Sequence, residues 1–166
     1  KPLILTTTET LSTTGECTQL PADLHEVWDA TELKRIFAPS AKHLLSPAVG
    51  PRASSALEAH GWIETISNGS ALESLQLQSV LGSVIPKPRS WAQLCMLWQW
   101  VEENIGWDGS GQRRSTLRIV PVKGQPSLQP GNQVIRVSSR GQQLSEEDWN
   151  FISDFALAVD QEWIAR

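Results

Sequence analysis

The order of apolar and polar residues divides this 166-residue chain into short strands and amphipathic helices. Leu3-Ile4-Leu5, with a β-branched tail of Thr6-Thr7-Thr8, reads as a strand; Gly15-Glu16 turns the chain, and Cys17 to Leu20 follows as its partner before Pro21. Residues 22–47 are helical in pieces. Leu24, Val27 and Trp28 fall at i, i+3 and i+4; Leu33, Ile36 and Phe37 repeat that spacing, and Pro39 stops the second piece. His43-Leu44-Leu45 is a short apolar run that ends at Pro47. A helix is predicted over 51–61, with Ser55 and Glu58 at capping-box spacing and Gly61 at its end. Trp62 to Ile66 alternates like a strand, and Asn68-Gly69 reads as a turn. Ser70 and Glu73 then open a helix over 70–82, with Leu72, Leu75, Val80 and Leu81 as its stripe and Gly82 as its stop.

The alternating prolines of Ile85-Pro86-Lys87-Pro88-Arg89 favour an extended, polyproline-like connector. The strongest helical pattern covers 90–105. Ser90 caps it, Gln93 completes the box, and Trp91, Leu94, Cys95, Trp98, Val101 and Ile105 form one face that Leu97 and Trp100 widen. A helix apolar on more than one side belongs at the centre of a fold. Residues 106–116 have linker composition. Leu117 to Val122 reads as a strand ending near Gly124, Val134 to Val137 as its partner, and Gln125 to Asn132 as the long turn between them. Residues 145–165 form the last predicted helix. Ser145 caps it, Glu146, Glu147 and Asp148 suit the positive end of its dipole, and Trp149, Ile152, Phe155, Val159 and Trp163 share a face.

Composition narrows the reading. The chain is 40% hydrophobic and only 19% charged, and eight tryptophans with no tyrosine supply most of its aromatic volume. The net charge of −4 is spread evenly: each side of residue 100 carries 7 basic and 9 acidic residues, hence −2 apiece. No basic half marks a nucleic-acid or anionic-membrane footprint. Cys17 and Cys95 are far apart, which argues for reduced thiols and a cytoplasmic setting. No apolar run approaches the roughly 20 residues that cross a bilayer. Lys1-Pro2-Leu3 reads as the start of a strand rather than a leader, as in a piece cut from a longer protein.

Two segments look alike. Leu3 to Thr6, a turn with Gly15, and Leu20-Pro21 match Leu117 to Val122, a turn with Gly124, and Val134 to Val137. Two ordinary hairpins would give the same pattern. The strand, Pro or Thr, turn with Gly, strand arrangement resembles the long α/β regions of large proteins of the sacsin and NO VEIN type, which carry an HSP90-type ATPase domain elsewhere. The residues that carry the resemblance are Leu3 to Thr8 with Gly15, Lys34 to Pro39, Leu117 to Gly124, and the helix start Leu144 to Trp149. The resemblance implies a non-catalytic region downstream of an ATPase, in a chaperone-like or defence-associated protein. The ATPase itself is not in this chain: its D-x-G-x-G pattern is approached only by Asp108-Gly109-Ser110-Gly111, at the wrong spacing and in linker-like sequence.

Other chemistries find little support. His25, His43 and His60 sit in separate elements without metal-ligand spacing. No G-x-S-x-G elbow or phosphate-binding glycine loop occurs, and a Cys95 on a buried face would be inert. Convergent carboxylates remain the enzyme alternative. A nucleic-acid alternative rests on Arg113, Arg114, Arg118 and Lys123, with Trp107 nearby to stack on a base. Trp100 and Trp107 are the tryptophans expected to be exposed as interaction anchors.

The sequence therefore predicts an α+β fold of two hairpin-plus-helices units, 1–84 and 90–166, joined by the connector 85–89 and able to pack as one body. The expected role is a structural or protein-interaction module, not an enzyme. No catalytic residue, metal or cofactor is expected, and the expected partners are other domains of the parent protein or a separate protein.

Overall fold

The computed structural model describes residues 3–6, 10–13, 15–37, 43–106 and 112–134. The strand predicted through Val137, the helix over 145–165, Trp107 and the Asp108 to Gly111 loop lie outside these residues. The architecture is α+β. Strand β1 (Leu3–Leu5) pairs antiparallel with β2 (Leu11–Thr13), aligning Ile4 with Ser12 and Leu5 with Leu11. The partner of β1 was expected at Cys17 to Leu20. The true partner escaped the hydrophobic pattern because its one inward residue, Ser12, is a buried hydroxyl.

Gly15, at φ 87, then redirects the chain into β3 (Cys17–Gln19). This strand becomes the centre of a parallel sheet between β4 (His43–Leu44) and β5 (Ile63–Thr65). Parallel neighbours require crossovers. Helices α1 (Ala22–Val27) and α2 (Ala30–Phe37) supply the first, and α3 (Pro51–Ala59) the second. The hairpin joins the sheet at β4 through the Thr6–Leu45 bridge and the bond from the Ser46 N–H to the Leu5 carbonyl at 3.0 Å.

Helix starts differ from the predicted ones for local reasons. In α3, Gly50 is the cap and Pro51 is the first helical residue, whose fixed φ suits that position; Ser55, expected to cap, lies inside the helix. In α4 (Asn68–Val80), Ser67 accepts from the Ser70 N–H, so Asn68-Gly69 is the first helical turn rather than a free one. The C-termini follow the sequence more closely. Gly61 and Gly82 both have positive φ, and each closes its helix with paired bonds: Gly82 N–H to Ser79 O at 3.2 Å and Ser83 N–H to Gln78 O at 2.9 Å in α4.

Residues 85–89, read as an extended connector, include β6 (Ile85–Pro86), which pairs antiparallel with β8 (Ser127–Pro130). The other neighbour of β8 is β7 (Arg118–Val120), reached from α5 (Trp91–Asn104) through the short helix α6 (Gln112–Thr116). The partner of β7 was expected at Val134 to Val137. It lies instead in the predicted turn, because Gly124 at φ 74 reverses the chain early and the pairing segment, with Leu128 and Pro130 inward, ends in a proline that argues against a strand. A single-turn 3-10 helix, Gly131–Gln133, follows.

One main core runs through both predicted units. It gathers Leu20, Leu24 and Trp28, then Leu33, Ile36, Leu44, Leu72 and Leu75, and continues into Ile85, Leu94, Leu97, Trp100, Leu117 and Leu128. A smaller cluster of Ile4, Cys17, Leu45 and Ile63 fills the other side of the parallel sheet. The α5 capping box forms as predicted, and the Gln93 amide also donates to the Glu26 carbonyl at 3.1 Å, fastening α5 to α1.

The 84–93 stretch is held against the first unit at three further points. The Trp28 indole N–H donates to the Pro86 carbonyl at 3.0 Å, Arg35 Nη2 donates to the Val84 carbonyl at 3.0 Å, and Arg89 pairs with Asp29. Exposed ion pairs contribute little, so the buried indole bond dominates. Trp28→Phe keeps most of the apolar volume but leaves the Pro86 carbonyl without its indole partner. Urea unfolding is expected to report a loss of about 1–3 kcal/mol, against about 3–5 kcal/mol for Trp28→Ala. A Trp28→Phe loss below ~0.3 kcal/mol would show the indole bond to be dispensable.

Candidate interaction surface

Trp100 was expected to be exposed; it is only 2% exposed. Helix α5 is wrapped by α1 and α4, so the residue that widens its apolar face is enclosed by them, and its indole N–H donates to Asn68 Oδ1 at 3.2 Å. Trp91 and Trp98 are half-buried and meet edge to face at 5.5 Å, and the Trp98 N–H donates to the Ile119 carbonyl at 2.8 Å. Cys95, expected in the core, is half-buried on the same helix.

The four basic residues of the nucleic-acid reading fall on one stretch of chain. Arg113 and Arg114 lie on α6, Arg118 on β7 and Lys123 in the turn before β8. Arg114 and Arg118 show how such side chains are engaged within the fold. Arg114 Nη1 is 2.9 Å from Glu102 Oε1. Arg118 donates to the Ser79 carbonyl at 3.4 Å and to Gln129 Oε1 at 3.1 Å, while its backbone N–H reaches Ser79 Oγ at 3.0 Å. A guanidinium bound on two sides by the protein has less to offer a phosphate. The bond to Glu102 also accounts for a carboxylate near the C-terminal end of α5, an unfavourable place for the helix dipole.

Among the described residues, no group of three or more His, Cys, Asp or Glu is arranged to hold a metal ion. A shallow cleft of about 140 Å³ lies between α1 and α5, lined by Asp23, Glu26, Met96, Gln99, Trp100 and Glu103. No helix of the described residues is long and apolar enough to cross a membrane.

Among the described residues, three titrating groups are displaced from their usual ranges. The Thr13 hydroxyl bond holds the Glu16 carboxyl below the ordinary carboxylate range, and the Ser12 hydroxyl adds to it. Burial raises the Cys17 thiol, which keeps it protonated and unreactive. Burial lowers His25.

The apolar surface is where the structure adds most to the sequence reading. On the hairpin, Ile4 and Ser12 point inward, while Leu3, Leu5 and Leu11 stand outward at 59%, 37% and 61% exposure. Leu5 and Leu11 are directly opposite across the strands, so the three leucines share one face. The period-two spacing of Leu3 and Leu5 around Ile4 was the available signal, and a run of three apolar residues obscured it. A second patch lies at the end of α4. Val80 and Leu81 were expected in its buried stripe, but that stripe is Ala71, Leu72, Leu75 and Ser79; Val80 and Leu81 are exposed beside Leu77 and Val84.

Comparison of the chain with protein-family models, with curated proteins and with solved structures gave no match.

The lowered His25 gives this part of the fold a pH signature. Protonation is disfavoured in the folded chain, so the unfolded chain binds the proton first. Stability from this group is complete above the unfolded pKa of roughly 6.5 and falls as pH drops from there towards the lower folded value. Urea midpoints measured between pH 7.5 and 5 are expected to decline, and His25→Gln is expected to flatten that decline. Parallel profiles for the two proteins would remove His25 as its source.

Proposed function

We propose that this chain is a non-catalytic structural or protein-interaction module of a larger cytoplasmic protein, one whose ATPase lies elsewhere in the polypeptide. The outward leucine face of the β1–β2 hairpin carries the reading. A two-stranded hairpin is marginal in water unless its faces are covered. The inner side of this one is covered, with Ile4 packed among Cys17, Leu45 and Ile63, while Leu3, Leu5 and Leu11 remain at the surface. Contiguous apolar side chains at a protein surface mark contact with another protein or segment. The module's work is then to hold a neighbouring segment against this face.

The resemblance to the α/β regions of sacsin and NO VEIN-type proteins supplies the context, a chaperone-like or defence-associated assembly. The two free cysteines suit a reducing compartment.

The test pairs this chain with the segments that adjoin it in its parent polypeptide and measures association by calorimetry. Binding is expected. Leu5→Lys with Leu11→Lys should weaken it at least tenfold, while the unfolding free energy from urea titration stays within about 0.5 kcal/mol because both side chains are already exposed. Equal binding by the variant would take the hairpin face out of the function. Substrate turnover by the isolated chain would overturn the non-catalytic reading.

A further inference from the structure

The second apolar patch has a different candidate occupant. Leu77, Val80 and Leu81 stand at i, i+3 and i+4 on α4, with Val84 just past the Gly82 turn; they are 56%, 77%, 66% and 57% exposed. This spacing places the first three on one side of the helix, opposite the side that carries Leu72 and Leu75 into the core. Helix α4 is therefore apolar on two sides, with only one of them used by the described fold.

The border of this stripe is basic. Arg35 reaches it from α2 through its bond to the Val84 carbonyl. Arg118 reaches it from β7: its backbone N–H meets Ser79 Oγ, and its Nη2 is 3.9 Å from where a Cβ on Gly82 would stand. A well-matched occupant has an apolar helical face flanked by carboxylates.

The chain's own sequence contains such a segment. Residues 145–165 place Trp149, Ile152, Phe155, Val159 and Trp163 at helical spacing, and carry six carboxylates with no lysine or arginine. The route is short. Pro130 is the register partner of Arg118, the residue that touches Ser79, so β8 lies one strand beyond β7, which packs against α4. Val134 follows Pro130 by four residues, and the eleven steps from Val134 to Ser145 can span up to about 36 Å. A tethered segment also acts at a high effective concentration, so a modest apolar contact suffices.

We propose that the stripe of Leu77, Val80, Leu81 and Val84 is the docking site for residues 145–165 of the same chain, which lay their apolar face on it and turn carboxylates towards Arg35. This site is distinct from the hairpin face, so either assignment can fail without the other.

Amide hydrogen exchange on the full chain, read by mass spectrometry, tests it. In the wild type, residues 145–165 are expected to be protected to the same degree at low and high protein concentration. Val80→Lys with Leu81→Lys should speed their exchange at least tenfold while α5 stays protected. The reciprocal variant, Phe155→Lys, should speed exchange over the last turn of α4 with the same control, and it covers the case in which the first pair impairs folding. Unprotected residues 145–165 in the wild type would overturn the proposal. So would protection unchanged in both variants, which places the segment elsewhere, or protection lost on dilution, which assigns the stripe to a second copy of the chain.

Discussion

The fold depends on what its buried and half-buried tryptophans do with their one polar atom. An indole brings a large apolar body into the core, but its N–H must find an acceptor there. In this chain each such acceptor belongs to a different element. Trp28 on α1 reaches the carbonyl of Pro86, Trp98 on α5 reaches that of Ile119, and Trp100 reaches the side chain of Asn68. The hydrophobic effect has no direction, so it cannot by itself set how α1, α4, α5 and the β6–β8–β7 sheet are oriented. The three N–H groups can. With 40% hydrophobic residues and no tyrosine, the chain relies on few but large side chains that combine volume with orientation.

The continuity of the main core follows from this arrangement. The sequence invited a division at the prolines, since alternating Pro residues look like a spacer. Yet proline lacks only a donor; its carbonyl accepts as well as any other. Pro86 uses that carbonyl for Trp28, and Ile85 beside it is buried. A stretch that reads as separating two units is thus a strand and an anchor point for both.

Legibility varied with how much of an element's logic is local. Glycines at helix ends were read correctly at Gly61 and Gly82, because positive φ is a property of the residue itself. The capping box at Ser90 and Gln93 was equally plain. Strand pairing was not, because partners are chosen by the whole fold. Strand β2 turns a serine inward and β8 offers one buried leucine, so neither stood out as apolar. Trp100 was misjudged for the same reason: periodicity locates one buried face on a helix, whereas α5 is covered on several sides. Of the surface, the sequence pointed to tryptophans and arginines, while the exposed apolar groups are mainly leucines and valines. Their exposure is decided by which neighbours arrive, which no local pattern records.

The parallel sheet also has a consequence in time. Its central strand begins at Cys17, but its neighbours begin at His43 and Ile63, so its last backbone partner is 46 residues away along the chain. On a ribosome adding about 5–20 residues each second, β3 waits roughly 2–9 s before β5 has been made. Such non-local pairings are slow to form and leave strand edges open meanwhile. The hairpin is the exception: β1 and β2 are sequential and can meet as soon as both emerge. Built first and joined to β4 through Leu45, it covers the β4 edge, while the other edge of β3 stays open until synthesis supplies β5.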